Sequence, residues 1–344
     1  MDTPITDADG LWDAKDDGRF GYVRGRSLRR GGRFNVLSLG NWVTLAAMAD
    51  VPAVPLVYLG ALDAHELMRL YDLMDGDGPD PDAPPLALEG INRRLNALEG
   101  EWMARCDGVS GDAVKVEMSR KPYPGEDRAT FRRGVRQGMG FHRADDGQRF
   151  FVVDDARLDE CVSEWVEADC PVWARPLVKA RMIEGAEAPY QAEWRVFVED
   201  GAIVAASTYY PQAPRGCDDR DRAALSRSLA HVSAMLEAMR SHGLVPHHRR
   251  YEGREHLDLS AIHCALDFIE TADGEVLLLE GGPAFLTNPS WGAHACAFAA
   301  DRSSEDVGRV SGIAWGGGVF DGPEVLAELV AEASAGPSGI PRNP

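Results

Sequence analysis

The sequence predicts an α+β protein. Three observations carry this reading: a strong hairpin at residues 193–210, a second hairpin at 264–283, and one long amphipathic helix at 218–243 between them. Antiparallel hairpins beside helices, without a regular strand–helix alternation, are the pattern of an α+β fold. At about 100–200 residues per domain, the 344 residues make two or three domains or lobes.

Each element has a local reason. The first 18 residues are acidic and polar and read as a loose end. The following stretch carries Arg24, Arg26, Arg29, Arg30 and Arg33. A flexible surface segment is its plain reading; a site for a nucleic-acid end or an acidic protein tail is the alternative. Residues 35–60 alternate short apolar runs with Gly and Pro, as small strands and one helix do. Residues 63–74 read as a helix with Leu67, Leu70, Tyr71 and Met74 on one face. The Pro-, Gly- and Asp-rich run at 76–85 is the clearest linker.

Strands follow. Residues 101–107 read as a strand that passes through Gly108-Val109-Ser110-Gly111 into a second strand holding Lys115. Residues 171–178 are an apolar strand running into an extended proline segment. In the 193–210 hairpin, Val196 and Val198 alternate and Glu199-Asp200-Gly201 makes the turn. The long helix can be capped by Asp218 or Asp219, and Leu225, Leu229, Val232, Leu236 and Met239 form its apolar stripe. The last hairpin turns at Ala272-Asp273-Gly274. The tail after 333 is rich in Pro and Gly and reads as disordered.

Composition narrows the function. Hydrophobic residues at 44% and charged residues at 26% exclude disorder of the whole chain. A net charge of −19 argues against coating nucleic acid by bulk electrostatics. None of the six cysteines forms a C-x-x-C pair, so reduced thiols and a cytoplasmic location are expected. No apolar stretch reaches about 18 residues, so no membrane partner is expected.

Two constellations carry chemistry. Asp267 and Glu280 lie on paired strands of the last hairpin, roughly opposite each other and embedded in apolar sequence. Two carboxylates on one sheet face repel unless a cation lies between them, and magnesium, a hard ion shared with nucleotide phosphates, is the natural one. The competing reading is two unrelated edge carboxylates, each held by an arginine. The second constellation is basic: Arg105, Lys115, Arg175 and Arg195 each lie in an apolar strand. Four such cations suggest a shared polyanion such as triphosphate. Gly108, Ser110 and Gly111 can add backbone N–H groups to phosphates, or simply form a hairpin turn.

In order, the basic strand with its glycine loop, PVWARPL, EWRVFVEDGAIVAAS, ALDF and LLLEGGP resemble the ATP-grasp superfamily over about residues 100–300. They look most like the branch where arginine replaces the second nucleotide-binding lysine. That branch includes cell-division-cycle chaperones that assemble a translation initiation factor. The resemblance implies ATP sandwiched between two α+β lobes, preceded by a small α/β domain. The implied division is a substrate-side N-terminal domain at 1–85, an ATP-grasp N-lobe at 86–171, a C-lobe at 172–333 and a disordered tail at 334–344.

The resemblance also implies roles. Arg105 or Lys115 would fill the first-lysine role at the phosphates. Trp173 to Leu177 would form the hinge that meets adenine through backbone, Ala174 included, with Arg175 in the altered second-lysine role. Arg195 would hold the γ-phosphate and the charge that develops on transfer. Asp267 and Glu280 would bind magnesium, two ions in the family pattern. That pattern also places Asn two residues after the glutamate, where this chain has Gly282. Asn288 lies close in sequence as a substitute ligand, or as a turn residue before Pro289.

Other signatures are missing: no P-loop, no H-E-x-x-H, no G-x-S-x-G and no kinase set. His263-Cys264 and His294-x-Cys296 can in principle bind zinc, but soft core residues are the plainer reading. His247 to Arg250 read as a solvated loop after the long helix. The expectation is an ATP- and Mg-dependent carboxylate–amine ligase acting through an acyl-phosphate and releasing ADP and phosphate. Its substrates would be a carboxylate, on a protein tail for example, and an amine or other nucleophile. The alternatives are an ATP-binding assembly chaperone without ligation and a modifier of nucleic-acid ends.

Overall fold

A computed structural model describes residues 13–14, 22–23, 32–36, 38–62, 90, 93–95, 97–100, 102–106, 140–143, 149–152, 170–184, 189–209, 217–247, 258–283, 311–316 and 319–335. The fold is α+β. Strands β1 (Asp13–Ala14), β2 (Tyr22–Val23) and β3 (Gly32–Asn35) precede helix α1 (Leu39–Met48). Then come β4 (Val57–Leu62), β5 (Trp102–Cys106), β6 (Gly140–Arg143), β7 (Arg149–Val152) and β8 (Cys170–Pro176). Short β9 (Met182–Ile183) and β10 (Tyr190–Gln191) lead to the hairpin of β11 (Glu193–Glu199) and β12 (Ala202–Thr208). Helix α2 (Asp219–His242) and β13 (Leu244–His247) follow. The second hairpin is β14 (Cys264–Glu270) and β15 (Val276–Gly282); β16 (Gly312–Gly316), β17 (Val319–Asp321) and α3 (Pro323–Ala335) complete the order.

A six-stranded sheet of order β15-β14-β11-β12-β16-β17 dominates, and a three-stranded sheet of order β4-β8-β5 stands beside it. Helix α2 starts where Asp218 and Asp221 exchange a capping box, so Asp218 is the cap. It ends at Gly243, whose φ of 64° suits the left-handed residue that closes a helix. The expected stripe, Leu225, Leu229, Val232, Leu236 and Met239, is buried. It packs on Trp194, Val196, Leu266, Phe268 and Trp315 from one face of the large sheet.

That same core contains Phe34, Val36, Trp42, Leu45 and Ala46 from the N-terminal part of the chain. Ser38 caps α1 through a hydrogen bond from the Asn41 backbone N–H, and residues Leu39 to Ala46 are all buried. Strand β3 pairs in parallel with β13, and β4 pairs with β8. The described elements before residue 85 thus share sheets and core with elements after 170. The three-part division at 85 and 172 stands as a proposal about segments of the chain, crossed by these pairings.

Two local readings change. His247 is not in a solvated loop: it is buried on β13, opposite Asn35 of β3. Ser334 and Ala335, placed in the tail by composition, belong to α3, where the Ser334 hydroxyl donates to the Val330 carbonyl at 2.7 Å. The helix at 63–74, the linker at 76–85 and residues 248–250 and 336–344 lie outside the described residues. Among the described residues, no helix is long and apolar enough to cross a membrane.

Candidate functional site

The site begins with two turns and two bulges. In the first hairpin, Asp200 (φ 51°) and Gly201 (φ 72°) form the turn, which pairs Glu199 with Ala202 and Val198 with Ile203. The register then shifts: Phe197 pairs with Ala205 and Arg195 with Ser207, which leaves Val204 as an extra residue. Unshifted, the ladder would set Arg195 opposite Ala206. The second hairpin repeats the device. Phe268 pairs with Leu278, but Asp267 pairs with Glu280, so Leu279 is the extra residue. Without it, Glu280 would fall on the opposite face of the sheet, since a one-residue slip reverses every side chain.

The two bulges build a transverse row. Glu280, Asp267, Arg195 and Ser207 are successive cross-strand partners on β15, β14, β11 and β12, and directly opposed residues share a face. This face lies away from α2. Arg195 grips Asp267 with two parallel bonds, Nε to Oδ1 at 2.7 Å and Nη2 to Oδ2 at 2.6 Å. Its guanidinium also lies 4.8 Å from the Tyr209 ring centroid. From the smaller sheet, Arg175 brings Nη1 to 4.0 Å from Glu280 Oε2. Arg175, Arg195 and Asp267 are buried, and Glu280 stands at the rim with its side chain 14% exposed.

Both carboxylates therefore face arginines, as the competing reading has it, yet they are not unrelated: one register joins them. The donor set fits magnesium shared with phosphate. Each Asp267 oxygen accepts one bond from Arg195, which leaves lone pairs. Magnesium commonly takes only one or two carboxylates and completes its shell with waters and phosphate oxygens. Among the described residues no group of three or more His, Cys, Asp or Glu gathers round one point, so a stand-alone metal cage is not what they form. The backbone next to the row differs between neighbours. A Cβ on Gly281 would strike the Trp42 ring, whereas Gly282 faces open space.

The other expected residues are placed as follows. Trp173 and Ala174 are fully buried in the middle strand of the smaller sheet, Trp173 packing against Gly40 and edge-on to Tyr58. Strand β4 pairs no further than Ala174, so Arg175 and Pro176 continue with β5 alone. Leu177 follows the strand, half-buried. Arg105 lies on β5 opposite Trp173. Gly108, Ser110, Gly111, Lys115 and Asn288 lie outside the described residues, as do His294 and Cys296. His263 and Cys264 are buried core residues. The His263 ring accepts the Asp200 backbone N–H at Nδ1 (3.3 Å) and sets Nε2 3.0 Å from the Asp258 carbonyl, and burial pushes the Cys264 thiol well above its ordinary range.

Sequence reasoning missed Ser207. It ends the quoted EWRVFVEDGAIVAAS block, but only the bulge at Val204 brings it opposite Arg195. It also missed a second cluster on the α2 face, centred on the fully buried Glu270. There Glu270 accepts from Arg181 at 2.6 Å and from Arg220 at 2.9 Å, while Arg181 also reaches Asp221 at 2.8 Å.

No protein-family model and no curated protein matches the chain. Among solved structures, Cdc123 from Schizosaccharomyces pombe is similar over 81% of this chain and 94% of its own, with 11% identity and a TM-score of 0.42. The ADP complex of PurK, N5-carboxyaminoimidazole ribonucleotide synthetase, is similar over 77% of this chain and 50% of its own, with 10% identity and a TM-score of 0.32. The ATP-grasp ligase PsnB, complexed with a minimal precursor, Mg and ADP, is similar over 85% of this chain and 57% of its own, with 12% identity and a TM-score of 0.28. At these identities and scores the comparisons carry no argument about function, and the ATP-grasp resemblance remains that of the sequence blocks EWRVFVEDGAIVAAS, ALDF and LLLEGGP.

Proposed function

We propose that this protein is an ATP- and magnesium-dependent ligase of the ATP-grasp type, joining a carboxylate to an amine. One observation carries the reading: the row Glu280, Asp267, Arg195 and Ser207, set on one sheet face by two separate bulges. Bulges that re-aim side chains are common beside active sites. Glu280 and Asp267 would hold magnesium, which neutralises phosphate charge. Asn288 is kept as a candidate further ligand and Lys115 or Arg105 as the first phosphate-binding cation, with Gly108, Ser110 and Gly111 over the phosphates. Adenine would meet the backbone at Arg175 to Leu177, where β8 runs past β4.

The chemistry needs no protein nucleophile. A carboxylate oxygen of the substrate attacks the γ-phosphorus as its bond to the ADP oxygen breaks, giving an acyl-phosphate. An amine then attacks the acyl carbon, phosphate leaves, the amine loses a proton and an amide forms. Arg195 balances the charge on the transferring group, and the protein's contribution is positioning and electrostatics. ADP release that depends on an added carboxylate and amine is the test. Stoichiometric ATP binding without acceptor-dependent turnover defeats ligation. It would instead favour a binding module, an assembly chaperone, a reading that gains support from Gly282 standing where the family pattern has a metal-binding Asn.

A further inference from the structure

Three members of the row have a stated role; the fourth does not. Ser207 is fully buried, and among the described residues its Oγ has no hydrogen-bond partner. A hydroxyl buried without a partner is costly, and alanine at this position would avoid the cost. Its neighbour on β16 is Ala314, which offers no polar side-chain atom; its neighbour on the other side is Arg195. Trp194 Nε1 and Thr208 Oγ1 also lack hydrogen-bond partners among the described residues, but this cross-strand pair lies on the opposite face, where Trp194 meets Trp315 in the apolar core. Of the three, Ser207 is the one in line with the charged groups.

The row is polarised. Its carboxylates, Asp267 and Glu280, occupy one end, and an arginine and a hydroxyl occupy the other. The first end suits a cation and the second an oxyanion, because guanidinium and hydroxyl can both donate to one anionic group. A metal-bound triphosphate has this same order of charge. The geometry points to Ser207 as a binding residue for the terminal phosphoryl group: its Oγ–H donates to a γ-phosphate oxygen whose charge Arg195 balances. Glu280 opens at the rim, whereas Ser207 is fully enclosed, so the hydroxyl meets the innermost part of the ligand. The inference rests on the ATP reading above.

Ser207→Ala tests it, since the substitution removes one oxygen and adds nothing. Calorimetric titration with magnesium and either AMPPNP or ADP separates the γ-phosphate from the rest of the nucleotide. Ser207→Ala should weaken AMPPNP about tenfold, leave ADP affinity unchanged and keep the melting temperature at or above that of the wild type. Ser207→Cys, similar in size but a poor donor, should behave like Ser207→Ala. Equal AMPPNP affinity in wild type and Ser207→Ala overturns the inference. So does a parallel loss of AMPPNP and ADP with a lowered melting temperature, which marks a purely structural serine. If the wild type binds neither nucleotide, the ATP reading falls and takes this inference with it.

Discussion

Strand β14 carries two buried carboxylates, Asp267 and Glu270, on opposite faces of the large sheet, and both are held by arginine. Around Glu270 the partners come from afar. Arg181 follows the smaller sheet, and Arg220 and Asp221 belong to the first turn of α2. They clasp the helix start to the sheet, and both Glu270 oxygens are bound. Around Asp267 the partners are neighbours on adjacent strands. The row continues past the tight pair, to Glu280 at the rim on one side and to the buried Ser207 hydroxyl on the other. Each cluster has two arginines and two carboxylates. What differs is closure: both oxygens of Glu270 are bound, whereas the Asp267 row ends in a buried hydroxyl, Ser207, with no hydrogen-bond partner among the described residues. Charge inventory alone does not distinguish a structural clasp from a site.

The comparison can be broken most forcefully at the clasp. Arg181→Ala leaves buried carboxylates short of a partner and should cost about 3–5 kcal/mol in chemical denaturation. At a temperature where the variant stays folded, its affinity for Mg-ATP should match the wild type; a loss of binding would mean the two faces are not independent. A smaller contrast comes from adjacent glycines. Gly281→Ala drives a methyl into Trp42 on the packed face and should cost about 1–3 kcal/mol. Gly282→Asn projects into open space on the site face and should leave stability unchanged in the same measurement.

The smallest effect is a pH dependence on the packed face. His231 stacks with Phe268 at 6.0 Å, and burial pushes its pKa below the ordinary value of 6.5. The unfolded chain takes up a proton just below pH 6.5 while the folded chain resists it, so stability falls as pH drops through that window. His231→Gln should flatten this slope in denaturation curves between neutral and mildly acidic pH. An unchanged slope would remove His231 as its source.

How much of this was legible in the sequence depends on distance along the chain. The hairpins, their turns and the α2 stripe follow from local pattern, and so do Arg195, Asp267 and Glu280 as charged residues in apolar strands. The bulges do not. Val204 and Leu279 look like ordinary strand residues, yet each decides which face the rest of its strand presents, and Ser207 was missed for that reason. The Glu270 clasp was missed because Arg181 lies 89 residues from its partner. The sharing of Phe34 and Trp42 with the later core was missed for the same kind of reason: no local period announces a parallel pairing of β3 with β13.

Calorimetric titration of ATP, with and without magnesium, into the wild type and Glu280→Gln tests the central claim most directly. Glu280 stands at the rim, its side chain 14% exposed and 4.0 Å from Arg175, so its neutralisation should lower the melting temperature far less than loss of a fully buried charge would. The account predicts that wild-type binding requires magnesium and that Glu280→Gln loses at least about tenfold in affinity, the equivalent of one charge-assisted contact. ATP affinity that is the same in both proteins, or indifferent to magnesium in the wild type, would contradict it.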